Sequence, residues 1–299
     1  MSQYIPHLIV VLFILGYAVV SVWIFRRKRA RRQTMPPEEF VLLRRPGETQ
    51  QREIERVSEA LDNMIMFWVP LSLILIAVPF WIRDWFPWAN LMALVLCCFV
   101  LFVISVCVVV TKTAALLEER ANRRLGYQGE RHVAEQLQPL TAKGWSVFHD
   151  VPKVQEKGQE NIDHVIIGPC GVVVVETKTY SKPRKETGKK DVVTFDGNKL
   201  TWPFYANDRK PLEQVRRCAN WLQTWIRESC GTETPVFQMI AIPGWTVNAG
   251  QHYEPRVTSG RAVVGALEGM MSGQKEVLSK KEIQRIADKL DELCRDVRE

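Results

Sequence analysis

The chain has 299 residues, which is long enough for more than one folded unit. Of these residues 46% are hydrophobic, and the formal net charge is +7. Its seven cysteines include no C-x-x-C pair, which leaves a zinc site and a disulfide framework without support and fits a reduced cytosolic domain. The average hydropathy conceals an apolar first third and a polar remainder.

Three apolar runs lie in the first third, at about residues 4–25, 64–82 and 89–110. Each is long enough to cross a bilayer core, which takes about 20 helical residues. We therefore expect three transmembrane helices in a membrane region over residues 1–112. A cleaved signal peptide is the rival interpretation of the first run, but no basic residue precedes it and no cleavage pattern follows it. Transport is disfavoured because no acidic or basic residue lies mid-span.

The orientation of these spans follows from the basic residues between them. Residues 26–62 contain ten Lys or Arg, whereas the turn at residues 83–88 contains one. The positive-inside rule then places the loop 26–63 in the cytoplasm and the N-terminus outside. We predict a multi-pass protein of a bacterial inner membrane, whose Arg cluster contacts anionic lipid of the bilayer. No chemistry is assigned to the loop 26–63.

The polar remainder is predicted to be a helical linker at residues 113–125 and a cytosolic domain at residues 126–299. Its class is α/β, a mixed sheet flanked by helices. Continuous valines at residues 172–175 indicate a central strand that is covered on both faces, and Pro211 can open a helix. The predicted elements are a helix at 128–140, a strand at 144–148, a hairpin of 162–167 and 172–177, a long loop, a helix from 211, a strand at 236–242 and a closing helix through Ile283 and Leu293.

Chemistry is indicated by two carboxylates and an ammonium near the predicted hairpin. Asp163 begins one strand, and Glu176 and Lys178 end the next, so we expect the three side chains to meet at one place. Charged groups at the end of an all-valine strand must be paired or bound. Two adjacent carboxylates repel each other, and a divalent cation relieves that repulsion. The pattern therefore predicts a site for a hard cation.

Two further polar residues are expected on the inward faces of helices. Glu130 precedes Val133 and Leu137 at helical spacing, and Gln214 shares such spacing with Cys218. For Glu130 and for Gln214, the sequence supports a position in the site and a purely local structural role equally. The local role is an electrostatic effect at the helix N-terminus for Glu130, and capping or packing for Gln214.

Four sequence blocks follow one another in an order that resembles the nuclease-related domain (NERD) family, of the restriction-endonuclease-like PD-(D/E)xK group. The resemblance covers roughly residues 126–242. The nominal proline of the group's Pro-Asp pair is replaced here by Ile162, which leaves the proposed metal ligands unchanged. The blocks are Gly129-Glu130, Asn161-Ile162-Asp163-His164-Val165, Val175-Glu176-Thr177-Lys178 and Pro211-Leu212-Glu213-Gln214.

This resemblance implies a restriction-endonuclease-like core and a phosphodiesterase site that depends on Mg²⁺ or Mn²⁺. By this likeness Asp163 and Glu176 ligate the metal, and Lys178 positions or polarises the attacking water. Glu130 and Gln214 complete the pocket. The implied substrate is nucleic acid, DNA in the first place or RNA.

A basic loop directly after Lys178 is the expected substrate-binding surface, because clustered positive charge suits a polyanionic backbone. A solvated charged loop is equally supported. Trp202, Phe204 and Tyr205 fit a hydrophobic plug better than a platform for unpaired bases. The sequence thus predicts a membrane-anchored nuclease at the cytoplasmic face, and its alternative is a non-catalytic, membrane-tethered module that binds nucleic acid or acts as a scaffold. The basic residues are Lys182, Arg184, Lys185, Lys189 and Lys190.

Overall fold

The computed structural model describes residues 16, 42–85, 88, 90–153, 161–182, 191–250 and 252–295. The chain forms two compact units, one of Met1–Glu39 with Ile54–Ala121 and one of Phe40–Glu53 with Asn122–Glu299. Residues 40–53 were predicted to belong to a loop between membrane spans. In the structure they group with the C-terminal part of the chain, and this grouping bears on the site.

Two long helices, α1 (Glu48–Trp85) and α2 (Leu91–Leu137), provide most of the first unit. Among the described residues, one helix, Met92–Ala142, contains an apolar window long enough to cross a membrane, whereas the sequence predicts three spans. The first predicted span, residues 4–25, lies outside the described residues apart from Gly16. The second, residues 64–82, is helical within α1, but most of its side chains lie outside the described part. The described residues therefore support one candidate span.

Helix α2 is continuous through the stretch for which the sequence predicts a span, a helical linker and the first helix of the domain. Gly126 and Gly129 lie inside it, at a cost of about 1 kcal/mol each relative to alanine. The helix nevertheless propagates, because each further residue adds a backbone hydrogen bond without a new nucleation step. A single turn, α3 (Pro139–Ala142), follows.

The second unit is built on a five-stranded mixed sheet of order β1-β2-β3-β6-β8 and a three-stranded sheet of order β5-β4-β7. In the larger sheet the first three strands are antiparallel and the last three are parallel. The strands are β1 (Ser146–Val151), β2 (Ile162–Gly168), β3 (Gly171–Thr177), β4 (Val192–Phe195), β5 (Leu200–Thr201), β6 (Val236–Ile242), β7 (Thr246–Ala249) and β8 (Arg256–Ser259).

Helices cover both faces of the larger sheet, because the valines of β3 point alternately to the two sides. Val172 and Val174 belong to the core under α4 (Lys210–Cys230) and α6 (Lys280–Leu293). Val173 and Val175 belong to the core under α2, α3 and α5 (Val263–Met271). All of β3 is buried. The predictions of a central strand covered on both faces and of a mixed sheet flanked by helices are confirmed.

Local sequence signals set the ends of α4 and α6. Pro211 lies in the first turn of α4, as predicted, and Gly231 ends that helix in the left-handed conformation at φ 62°. Ser279 and Glu282 form a capping box at the start of α6. The smaller sheet, β8 and α5 were not predicted, and β4 and β5 lie in what the sequence presented as a long loop.

Candidate active site

The predicted site residues meet where β2 begins and β3 ends. These two strands are antiparallel neighbours in which His164 pairs with Val175, so the start of one lies beside the end of the other. Asp163 is at that start, and its Oδ2 accepts a hydrogen bond from the backbone N–H of Thr177 at 2.6 Å. The hairpin therefore holds the Asp163 carboxylate against the Glu176-Thr177-Lys178 end of β3.

Lys178 connects β3 to helix α4 at this edge. Its Nζ lies 3.2 Å from Oε1 of Glu176 and donates a hydrogen bond to Oε1 of Gln214 at 2.9 Å. The Glu176 side chain is buried and that of Lys178 is partly exposed. Because Gln214 is itself buried in the first turns of α4, the ammonium is fixed from two elements while part of it still faces solvent.

Glu130 enters the cluster from helix α2. Its side chain is buried, and burial, with added repulsion from the carboxylates of Asp150 and Glu176, raises its pKa from 4.5 to about 8. A hydrogen bond from Gln50 and the charge of Lys178 oppose that rise in pKa. Close packing of α2 brings the residue there: a Cβ on Gly129 would lie 2.0 Å from Cγ2 of Thr179, just past the end of β3.

Asp163 shares this electrostatic environment. Burial raises the pKa of its carboxyl well above the usual value, and the charges of Glu176 and Glu130 raise it further. The hydrogen bond from Thr177 and the charge of Lys178 pull the pKa of Asp163 down. Glu130, Asp163, Glu176 and Lys178 thus interact at one place, and Gln214 is bonded to Lys178. All five predicted catalytic residues are brought together.

The donor set fits a hard cation of the magnesium type. Among the described residues, no group of three or more His, Cys, Asp or Glu side chains is arranged to hold a metal alone. Mg²⁺ is commonly bound through one or two carboxylates and keeps several of its waters. Asp163 and Glu176 supply two carboxylates that raise each other's energy when both are ionised, which is the condition that a divalent cation relieves.

His164 belongs to the same sequence block as Asp163 but contacts other groups. It is fully buried, its Nδ1 lies 2.9 Å from Nδ1 of His149, and its Nε2 lies 3.2 Å from Oγ1 of Thr177. Burial lowers the pKa of His149 to about 4 and the pKa of His164 well below its usual value. Both rings are therefore neutral at physiological pH and have a structural place in the sheet.

The predicted substrate-binding residues are only partly described. Lys182 forms an exposed ion pair with Asp191 at 2.6 Å, and its Nζ lies 5.4 Å from the centre of the Trp245 ring. Trp202 is buried against Tyr180 and Trp245, which favours the plug over a stacking platform. The other predicted residues, Arg184, Lys185, Lys189 and Lys190, lie outside the described residues.

Asp150, at the end of β1, is a buried carboxylate that the sequence analysis missed. Its φ of 49° is unusual for a residue other than glycine. Oδ1 accepts from Asn161 at 3.2 Å, and Oδ2 accepts from Arg44 and from the hydroxyl of Thr49, each at 2.9 Å. Nothing in the local pattern marks this aspartate, because two of its partners are about a hundred positions away in the sequence.

Comparison with known proteins supports a nuclease-related domain in this part of the chain. A family described as NERD, nuclease-related domain, matches residues 125–243, a range that contains all five predicted catalytic residues. An uncharacterised protein of Bacillus anthracis is 43% identical over 56 residues, which are 18% of this chain and 26% of that protein. The match thus spans about a quarter of that relative's length.

One solved structure, that of Pyrococcus furiosus SfsA in complex with Ca²⁺, is similar at 16% sequence identity with a TM-score of 0.21. The similarity covers 52% of this chain and 55% of the other. A likeness at this TM-score carries no argument about fold or function. The wider assignment to the PD-(D/E)xK group stays a prediction.

Proposed function

We propose that this chain is a membrane-anchored nuclease that hydrolyses phosphodiester bonds of DNA, or of RNA, at the cytoplasmic face of the membrane. The observation that carries the proposal is the linked set of Asp163, Glu176, Lys178 and Gln214 at one edge of the sheet, with Glu130 in electrostatic contact. This set lies wholly within the range that matches the nuclease-related domain.

Asp163 and Glu176 are the residues that would hold Mg²⁺ or Mn²⁺. When bound there, such an ion supplies positive charge beside the phosphate and lowers the pKa of a bound water. Lys178 would donate a hydrogen bond from Nζ to a phosphate oxygen or to the attacking water, because it is a compact charge with three donors. Gln214 and Glu176 orient that ammonium from two sides.

Glu130 is suited to hold and release a proton near neutral pH. Its pKa of about 8 means that, before a cation enters, it is mostly protonated at pH 7. Positive charge that arrives in the cluster favours its ionised form. Glu130 therefore limits the number of negative charges in the cluster at pH 7, and its ionised form would offer a proton acceptor beside a bound cation.

Membrane attachment is the second part of the proposal. The apolar first part of the helix Met92–Ala142, which contains most of the predicted third span at about residues 89–110, supports an anchor through its length and apolar character. We propose the further spans at about residues 4–25 and 64–82, with the N-terminus outside and residues 126–299 in the cytoplasm. The support is the excess of basic residues at 26–62 over the turn at 83–88. The arginines of this stretch other than Arg44, which is paired with Asp150, would also contact anionic lipid headgroups.

We propose that the phosphate backbone of the substrate lies along the basic loop at residues 182–190, which begins four positions after Lys178. Contacts of this kind bind phosphates regardless of sequence and weaken as salt concentration rises. Lys182 is available in part, since its ion pair with Asp191 is exposed and therefore weak.

The geometry also favours a second candidate, a non-catalytic module that binds nucleic acid or acts as a scaffold at the membrane. The specific observation is the internal ion pair between Glu176 and Lys178 at 3.2 Å. Because Glu176, a proposed metal ligand, is already paired with a cation, the charges of the site partly compensate each other without a metal. A measurement of nucleic-acid cleavage distinguishes the nuclease from the non-catalytic module.

The test uses the full chain, purified in detergent and incubated with plasmid and with single- and double-stranded oligonucleotides. Cleavage should require Mg²⁺ or Mn²⁺, stop with a chelator, and be lost in Glu176→Gln and Lys178→Met. Lys289→Met is the matched control, because it removes an exposed lysine that is ion-paired with Glu292 on α6. Binding of nucleic acid without cleavage under any of these metals would support the non-catalytic module instead.

A further inference from the structure

Residues 42–53, here called the 42–53 segment, pack against the C-terminal part of the chain, including helix α2. Leu43 forms a β-bridge with Arg295, and the N–H of Arg44 donates to the carbonyl of Cys294 at 3.0 Å. The turn at Gly47 lies against α2: with φ at +73°, a Cβ there would come within 2.6 Å of the Tyr127 ring and 3.6 Å of Oε2 of Glu130. Only glycine gives both this conformation and this approach.

The 42–53 segment supplies three hydrogen bonds to one oxygen of Asp150. Its Oδ2 accepts from Nη1 of Arg44 at 2.9 Å, from Oγ1 of Thr49 at 2.9 Å and from the N–H of Thr49 at 3.1 Å. Thr49 is the second residue of α1, so its N–H is one of those that a helix leaves unbonded at its start. Asn161 ties the same network to β2, because its Nδ2 donates to Oγ1 of Thr49 at 2.7 Å.

The side chain of Gln50, the next residue of α1, lies close enough to Glu130 to lower the pKa of that carboxyl. Its amide also lies beside α2, since a Cβ on Gly126 would come within 3.5 Å of Cδ of Gln50. Consecutive residues of one helical turn therefore hold two carboxylates, Asp150 and Glu130, that repel each other. The charge of Arg44 compensates Asp150, and Gln50 lies beside Glu130.

We propose that Thr49 and Gln50 of the 42–53 segment belong to the active site as positioning residues that fix Asp150 and Glu130. The proposal rests on the proposed nuclease function and deepens it. Its consequence is that residues before the second predicted span complete a site whose other residues all follow the third. A fragment that begins near Leu125 would contain Glu130, Asp163, Glu176, Lys178 and Gln214, yet it would lack both positioning side chains.

The test uses full-length variants in detergent. Thr49→Val removes the hydroxyl at nearly constant volume, and Thr49→Ser keeps it. Gln50→Ala removes the amide that binds Glu130, and Gln51→Ala makes the same change at the next, exposed position of α1. We expect kcat to fall about tenfold or more in Thr49→Val and Gln50→Ala with KM changed less than about twofold, since misplaced groups impair the transition state rather than binding. Thr49→Ser and Gln51→Ala should cleave like the wild type.

A second measurement, amide hydrogen exchange, does not depend on cleavage. Loss of the Thr49 hydroxyl should speed exchange in the peptide that contains Asp150, and loss of the Gln50 amide should do so in the peptide that contains Glu130. Gln51→Ala should change neither. If the wild type cleaves nothing but these exchange effects appear, the nuclease function fails while the attachment of the segment to both carboxylates stands.

Three results would overturn the proposal. One is unchanged exchange in Thr49→Val and Gln50→Ala, whatever the cleavage result. Another is wild-type kcat in both variants of an enzyme that cleaves. The third is an equal loss in Thr49→Ser and Thr49→Val, which would show that packing at residue 49 matters and that its hydroxyl does not.

Discussion

Replacing Gly129 by alanine tests the packing that brings Glu130 to the site. The new Cβ would lie 2.0 Å from Cγ2 of Thr179 and 3.3 Å from its Cβ. Carbon atoms in contact lie about 3.5–4.0 Å apart, so α2 and the chain after β3 must separate by about 1.5 Å unless Thr179 moves. Thr179 moves reluctantly because a β-branched side chain has few allowed rotamers.

The two effects of Gly129→Ala differ in size. Overpacking costs about 1–3 kcal/mol, and alanine recovers about 1 kcal/mol through its higher helix propensity, so the net loss of stability is at most about 2 kcal/mol. The separation, however, acts between Glu130 and Lys178, which adjoin the two clashing residues. A misplacement of about 1 Å can cost on the order of a hundredfold in rate. We therefore expect a large loss of cleavage with a small loss of stability.

The assay is metal-dependent cleavage by the full chain, beside urea unfolding followed by tryptophan fluorescence. Gly265→Ala is the matched control, because Gly265 is also a helical glycine but has nothing within 4 Å of the position that a Cβ would take. Thr179→Ser in the Gly129→Ala background removes Cγ2 and should restore most activity. Wild-type cleavage by Gly129→Ala, or a double variant no better than the single one, would refute the packing argument.

Three other predictions concern metal, pH and the core. Saturating Mg²⁺ should stabilise the wild type by about 2.7 kcal/mol at one hundred times its Kd, and a thermal melt of Glu176→Gln should show no such gain. In chelator, stability should fall as pH rises from about 4.5 to about 8, because folded Glu130 still holds a proton that the unfolded chain has lost. Glu130→Gln should flatten that slope in urea unfolding at several pH values, and an equal slope in both proteins would contradict the assignment. Leu222→Ala should cost about 2–5 kcal/mol, since Leu222 is fully buried under the sheet, and an unchanged urea midpoint would contradict this.

Strong periodic patterns predicted much of the larger sheet and its helices. The run of valines in β3 indicated burial on both faces, and β3 does lie between β2 and β6 with a core on each side. The turn from Gly168 to Gly171 joins β2 to β3, and a proline lies in the first turn of α4, as the local rules for turns and helix starts predict. The smaller sheet was not predicted from the sequence. Its strands β4 and β5 have four and two residues, which is too short for an alternating pattern to be recognised.

The site residues differ in the same way: local patterns predict some of them, and contacts between distant parts of the chain determine the others. Asp163, Glu176 and Lys178 could be placed together because one hairpin determines their relation, and that relation follows from the register of neighbouring strands. Asp150 and the 42–53 segment could not, because their contact joins residues about one hundred positions apart and depends on how α1 begins. Hydrophobic periodicity carries no information about such a contact, and the sequence predicted only that the segment belongs to a cytoplasmic loop with no assigned chemistry.

Charge balance explains why protons and a divalent cation should compete for this cluster. Asp150 is compensated by Arg44, and among the described residues the cation that acts on Glu130, Asp163 and Glu176 is the ammonium of Lys178. If all three carboxylates ionise, the excess is two negative charges, and the raised pKa values of Glu130 and Asp163 show that protons can remove them. One Mg²⁺ removes the same two charges. The apparent affinity for Mg²⁺ should therefore rise with pH up to about 8, the pKa of Glu130, whereas a site already satisfied by its internal ion pair would show no such dependence.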